Sequence, residues 1–223
     1  MANIFTSSIG KKLIMSISGL FLIVFLLVHL TINSLSLISE EAFKAGCDFM
    51  ALPFVTVMVP VLAAGFIIHI IYAFYLSYTN LKARGTERYA VTNKGAADSW
   101  ASKNMLVLGI IVLGAIAFHL THFWAEMQLL QFQGIPHDQL ADPNQLMRDT
   151  FSSPIVTGLY LVWFAALWFH LTHGFWSAFQ TIGWNNLIWI KRWKVIATIF
   201  ATIICVGFAV VAIVAYLNAN GII

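Results

Sequence analysis

Five stretches of the chain run without a single Asp, Glu, Lys or Arg: residues 13–36, 53–79, 104–125, 154–180 and 195–217. Each is dominated by apolar residues, and charge-free apolar runs of at least 18 residues read as transmembrane helices. At 22 to 27 residues they make helices of about 33–40 Å, enough to cross a hydrocarbon core of about 30 Å with some tilt. The pattern predicts an all-α integral membrane bundle of five transmembrane helices, forming a single domain over 1–223. The first run follows Lys11 and Lys12 as a signal peptide's apolar region would. It is too long for one and lacks a small-residue cleavage pattern, so it is expected to stay as a helix of the mature protein.

The intervals between the runs fix an orientation. With the N-terminus inside, segments 1–12, 80–103 and 181–194 are cytoplasmic. They hold Lys11, Lys12, Lys82, Arg84, Arg88, Lys94, Lys103, Lys191, Arg192 and Lys194, ten of the 12 basic residues. Only Lys44 and Arg148 fall outside, whereas the acids, apart from Glu87 and Asp98, are all outside. Such an excess of Lys and Arg marks the cytoplasmic face. The N-terminus is therefore expected in the cytoplasm and the C-terminus outside. The outer segment 128–153 has room for a short helix. The basic segment 80–103 suits a docking surface for a soluble partner, or topology control alone.

Composition narrows the classes further. The chain is 60% hydrophobic and 9% charged, against about 25% charged in average soluble domains. That excludes an ordinary cytosolic globule, a disordered chain and a nucleic-acid binder. Two cysteines exclude a disulfide scaffold and a cysteine-ligated iron–sulfur cluster of the chain's own, which needs four thiolates.

The chemistry lies in the histidines. Six of the seven, His29, His69, His119, His122, His170 and His173, fall within the spans, and His137 in a loop. Ionisable groups at membrane depth are costly and mark functional sites. His29 lies 16 residues beyond Leu13 and His119 15 beyond Asn104, both on helices entering from the inside. His69 lies 16 beyond Pro53 and His170 16 beyond Pro154, on helices entering from the outside. Two histidines thus share an outer layer and two an inner one, about 10 Å apart along the helix axes. Two His–His pairs at two depths suit two bis-imidazole haems. No CxxCH motif is present, so the haems would be non-covalent b-type. A hydrogen-bonded core or a proton relay is the competing reading. Zinc fits poorly, because the layers are too far apart for one tetrahedral site and no carboxylate or thiolate stands beside them.

His122 and His173 each follow another histidine by three residues, on the same helix face, so spacing alone leaves either member open as a ligand. The role expected of these two is hydrogen bonding to a haem propionate, the backbone or water. Gly19 and Gly109, each ten residues before a histidine, lie near the inner layer on helices that supply no ligand there. A missing side chain admits a macrocycle or close helix packing.

These residues carry a resemblance. The chain resembles the single-chain, five-helix, di-haem cytochrome b subunit of succinate:quinone oxidoreductases, the succinate dehydrogenases and fumarate reductases. Its motifs are SGLFLIVFLLVHLTIN (18–33), AFKAGCDFMALPF (42–54), HIIYAFYLSY (69–78), GIIVLGAIAFH (109–119) and SSPIVTGLYLVWFAALWFHLTHGFWSAFQTIGW (152–184). The resemblance implies His29 and His119 on a distal haem and His69 and His170 on a proximal one. In each pair of neighbours it favours His119 over His122, and His170 over His173. It implies a membrane anchor for a flavoprotein and an iron–sulfur subunit on the cytoplasmic side, with FAD and iron–sulfur clusters only in those partners. Electrons would pass from succinate through two haem b to a membrane quinone, with menaquinone expected, and fumarate reduction would run in reverse. A dimer of the complex is one of the states the resemblance allows.

The quinone needs a proton donor and acceptor near the distal haem. The candidates at the outer ends are Asn33, Asp48, Trp124 and Glu126, with Glu40 and Glu41 nearby; Glu126 is expected on the face of His119. Solvated loop charges are the competing reading for each acid. Some fumarate-reducing members carry a transmembrane Glu two residues before the fourth-helix ligand, thought to move compensating protons. Trp168 stands there in this chain, so turnover at an outer quinone site is expected to be electrogenic. The rival classes are a di-haem quinone anchor of another dehydrogenase or hydrogenase, and a haem-free histidine-bearing transporter. A transporter should show inverted repeats with broken helices, and the echo of FHLTHFW (118–124) in FHLTHGFW (169–176) is not one.

Overall fold

The computed structural model describes residues 7–84 and 99–223, and every regular element among them is helical. The expectations at Arg88 and Lys94, with Glu87 and Asp98, lie outside the described residues. Helix α1 (Ser8–Ser34) tightens into a 3-10 turn at Leu35–Leu37. Then come α2 (Glu40–Met50), a single turn at Pro53–Thr56, and α3 (Met58–Arg84). Beyond residue 99 a short turn, Trp100–Lys103, leads into α4 (Met105–His119). Helix α4 continues as a π-helical stretch, Leu120–Leu129, and one last turn, Leu130–Phe132. The short α5 (Pro143–Phe151) precedes α6 (Pro154–Thr181) and α7 (Trp189–Ala219).

Five of these runs, Ser8–Leu37, Pro53–Ala83, Met105–Phe132, Pro154–Thr181 and Trp189–Ala219, are long and apolar enough to cross a membrane. Four of them run well past the charge-free stretches. Helix α1 begins early enough to take in Lys11 and Lys12, α3 continues through Lys82, and α7 starts ahead of Lys191, Arg192 and Lys194. The cause is physical. Absence of charge marks the part of a helix that hydrocarbon tolerates. The hydrogen-bond ladder goes on into water, where Lys and Arg are good helix formers whose stems lie along the apolar surface.

Local chemistry sets the short elements. The Ser39 hydroxyl caps α2 by accepting the Ala42 N–H at 3.1 Å. Glu40 and Glu41 occupy the first turn of α2, where the helix dipole favours anions. The Glu41 carboxyl is held below the usual carboxylate range by its own backbone N–H and by the Ser39 hydroxyl. Asp142 caps α5 by accepting from the Asn144 and Gln145 amides, with Pro143 in the first turn. Gly183, at φ 99°, stands just beyond the end of α6, in a conformation that suits glycine.

The chain divides into two compact units. The first comprises the described parts of Met1–Phe25 and Pro60–Gly109, with Phe169–Ala201; the second comprises Leu26–Val59, Ile110–Trp168 and Thr202–Ile223. In the first unit Leu108, Leu171, Phe175 and Trp176 are buried, and Ala197 and Ala201 of α7 are wholly inaccessible. Small residues at such positions let helices approach closely where no hydrophobic force separates protein from lipid. In the second unit Phe43 of α2 and Met147 and Phe151 of α5 pack with Tyr160, Val211, Ala212 and Ala215. The two short helices therefore belong to that unit's core. Large apolar side chains remain exposed along the long helices, among them Ile67, Ile71, Val162, Ile199 and Ile203. Water would penalise such a surface; hydrocarbon does not.

Candidate functional site

Each unit brings two spanning histidines together. In the second unit the rings of His29 (α1) and His119 (the last α-helical residue of α4) have centroids 5.8 Å apart and planes at 90°. Their wall is aromatic: Phe208 lies 5.6 Å from His29, and Phe123 and Tyr160 lie 5.0 and 6.3 Å from His119. In the first unit the rings of His69 (α3) and His170 (α6) stand 6.4 Å apart with planes at 67°. A Cβ on Gly19 would come within 3.2 Å of the His69 Cε1, and one on Gly109 within 3.7 Å of the His170 Cε1. At Gly19 the imidazole presses close against the backbone, whereas at Gly109 the distance is that of ordinary van der Waals contact.

The neighbouring histidines are engaged differently. The His122 Nδ1 lies 2.8 Å from the Phe118 carbonyl, to which it donates, so this ring is tied to its own helix. His173 packs against Trp176 at 5.1 Å, and Trp176 lies under the Lys194 ammonium. The Nδ1 atoms of His170 and His173 are buried without a hydrogen-bond partner.

Two bonds of about 2 Å from a first-row metal to imidazole nitrogens, plus about 1 Å from each nitrogen to its ring centre, put the centroids about 6 Å apart. The observed 5.8 and 6.4 Å match that span. Among the described residues no three His, Cys, Asp or Glu side chains converge to hold a bare ion. Two imidazoles would hold a haem iron, whose macrocycle would supply its remaining ligands. The residues present fit a haem iron at each pair.

The quinone-site candidates all lie in the second unit, with His29 and His119. The Asn33 amide donates to the His29 carbonyl at 2.8 Å. Asp48 is half-buried on α2 beside Cys47. Burial, then the charges of Asp48 and Asp142, push the Cys47 thiol up to about 12 against the opposing pull of Lys44. Trp124 is half-buried and Glu126 exposed, both on the π-helical stretch. That stretch corrects the expected face of Glu126. With i→i+5 bonding, seven residues make roughly one and a half turns, so Glu126 points away from the side of His119. Glu40 pairs with Arg148 of α5. The Trp168 indole N–H donates to the Thr202 hydroxyl of α7 at 2.9 Å.

Three residues escaped the sequence reading. Phe208 gave no signal among so many aromatics. Tyr160 is 5% exposed with an unpartnered hydroxyl, and Ser18 is 7% exposed beside His69. A polar atom inside a charge-free span was the available signal for both.

No protein-family model and no solved structure matches the chain. Among curated proteins it is similar to the succinate dehydrogenase cytochrome b558 subunit of Bacillus subtilis (strain 168), with 28% identity over 163 residues, 72% of each chain. The chain is a multi-pass membrane protein, and its similarity is to a cytochrome b subunit.

Proposed function

We propose that the chain is the membrane anchor and electron carrier of a succinate:quinone oxidoreductase, holding two b-type haems within five transmembrane helices. The observation that carries this reading is the pair of facing imidazole couples, each at the spacing of a bis-histidine iron, in a chain similar to cytochrome b558. His29 and His119 hold the distal haem, and His69 and His170 the proximal one. When bound, the haems supply the one-electron redox chemistry that links an iron–sulfur subunit to a quinone.

The protein's own part is to bind, orient and exclude. Neutral imidazoles offer nitrogen lone pairs. Phe208, Phe123 and Tyr160 keep water from the distal pair. His122, with Nδ1 committed to the Phe118 carbonyl, has Nε2 left for a propionate or water. His173, with a buried unpartnered Nδ1, fills the same role beside the proximal pair. Asn33, Asp48, Trp124 and Glu126 bind the quinone, probed first as menaquinone, and exchange its protons outside. Lys11, Lys12, Lys82, Lys103, Lys191, Arg192 and Lys194 face the cytoplasm, where the iron–sulfur subunit docks with the flavoprotein behind it. The dicarboxylate chemistry, whether succinate oxidation or fumarate reduction, belongs to those partners.

A reduced-minus-oxidised spectrum of the purified chain with a pyridine haemochrome count tests the reading. About two b-haems per chain, reducible by succinate in the intact complex, is the expected result. A well-folded preparation without haem overturns it and favours the transporter class.

A further inference from the structure

We propose that Ser18 is a positioning residue for the His69 imidazole, its hydroxyl oxygen accepting the Nδ1 proton and so fixing the ring lone pair on Nε2. The hydroxyl donates to the Met15 carbonyl at 3.0 Å, and its oxygen stands 3.2 Å from the His69 Nδ1. A serine hydroxyl has one proton. With that proton committed to Met15, the oxygen can only accept at His69. Nδ1 must then carry the hydrogen, and a neutral imidazole so protonated keeps its lone pair on Nε2, the atom a metal takes.

The surroundings make the contact consequential. Ser18 is buried in a span without charges. It is the one polar residue lining a cavity of about 380 Å³ walled by Ile14, Ile17, Phe21 and Ile68 among others. The adjacent Gly19 brings the α1 backbone against the ring's Cε1 edge. His170, across the pair, has no partner for its buried Nδ1. The two imidazoles are therefore inequivalent: α1, which supplies no ligand to this pair, orients one of them and leaves the other alone. Hydrogen bonding at the remote nitrogen raises the basicity of a ligating histidine and favours the ferric state. Removing the hydroxyl should raise the potential of one haem only.

This inference rests on the two-haem reading, and the experiment separates them. The intact complex carrying Ser18→Ala or Ser18→Thr is titrated potentiometrically, with a haem count on each. In Ser18→Ala both haems should remain. The reduced-to-oxidised ratio of one should rise about tenfold at fixed ambient potential, equivalent to about 59 mV for one electron, with the other unmoved. Ser18→Thr should restore the original value, since it keeps the hydroxyl and the cavity can take its methyl group. Unchanged potentials in Ser18→Ala, a shift common to both haems, or a threonine variant that behaves like alanine would each overturn the role of Ser18 alone. A haem-free parent chain removes the two-haem reading and this inference with it.

Discussion

Two histidines three residues apart on one helix look alike in sequence, and what separates them is where their nitrogens go. His119 faces His29 across 5.8 Å, whereas His122 turns its Nδ1 back onto the Phe118 carbonyl and packs on the Phe118 ring at 4.1 Å. His119→Ala should cost one of two haems per chain, and His122→Ala should retain both. The pyridine haemochrome count decides it, and loss of haem in the His122 variant would reassign the ligand. The grouping of His29 with His119 and of His69 with His170 was legible, because depth along a helix is simple arithmetic once the spans are known. The surroundings of each ring were not. Ser18, Tyr160 and Phe208 reach their histidines from other helices, and helix rotation is invisible to a count of rises.

At the scale of elements, the long helices were readable because hydrocarbon excludes charge, and α2 was unreadable for the same reason. Its 11 residues include Glu40, Glu41, Lys44 and Asp48, so it resembles a loop by composition while burying Phe43 and Gly46. The π-helical stretch after His119 had no sequence signal either, and it alone displaced Glu126 from its expected face. Packing and charge make separable claims on α2. A Cβ on Gly46 would meet the Leu35 Cδ1 at 2.6 Å and the Ile32 Cγ2 at 3.4 Å. Gly46→Val forces atoms into that contact and should cost about 1–3 kcal/mol. The Glu40–Arg148 pair is largely solvent-exposed, so Glu40→Gln should cost at most about 1 kcal/mol. Thermal unfolding in detergent should place the Gly46 variant clearly below the Glu40 variant. The reverse order would mean that ion pairing, not close packing on α1, seats this helix.

For the whole molecule the question is how charge crosses the membrane. Lys and Arg gather on the segments assigned to the cytoplasm, and the quinone-site candidates Asn33, Asp48, Trp124 and Glu126 lie at the outer ends of the spans or just beyond them. Succinate oxidation would then send two electrons outward, with quinone protons drawn from the outside. A compensating proton path through α6 is unsupported at position 168. An indole there has no proton to exchange near neutral pH, and its N–H is spent on the Thr202 hydroxyl. Two uncompensated charges crossing the full thickness couple the reaction to the membrane potential by about 4.6 kcal/mol per 100 mV. The sign follows from the electron's charge: an inside-negative potential drives electrons outward, so it should speed succinate oxidation and slow fumarate reduction. Right-side-out vesicles loaded with succinate, given a potassium diffusion potential by valinomycin, provide the measurement. Acceleration that vanishes with an uncoupler is the expected outcome. A rate indifferent to the potential would place quinone chemistry on the cytoplasmic side, or require a proton route that bypasses Trp168. The first would remove Asn33, Asp48, Trp124 and Glu126 as a group from the reaction, the second would leave them in it, and both leave the histidine pairs in place.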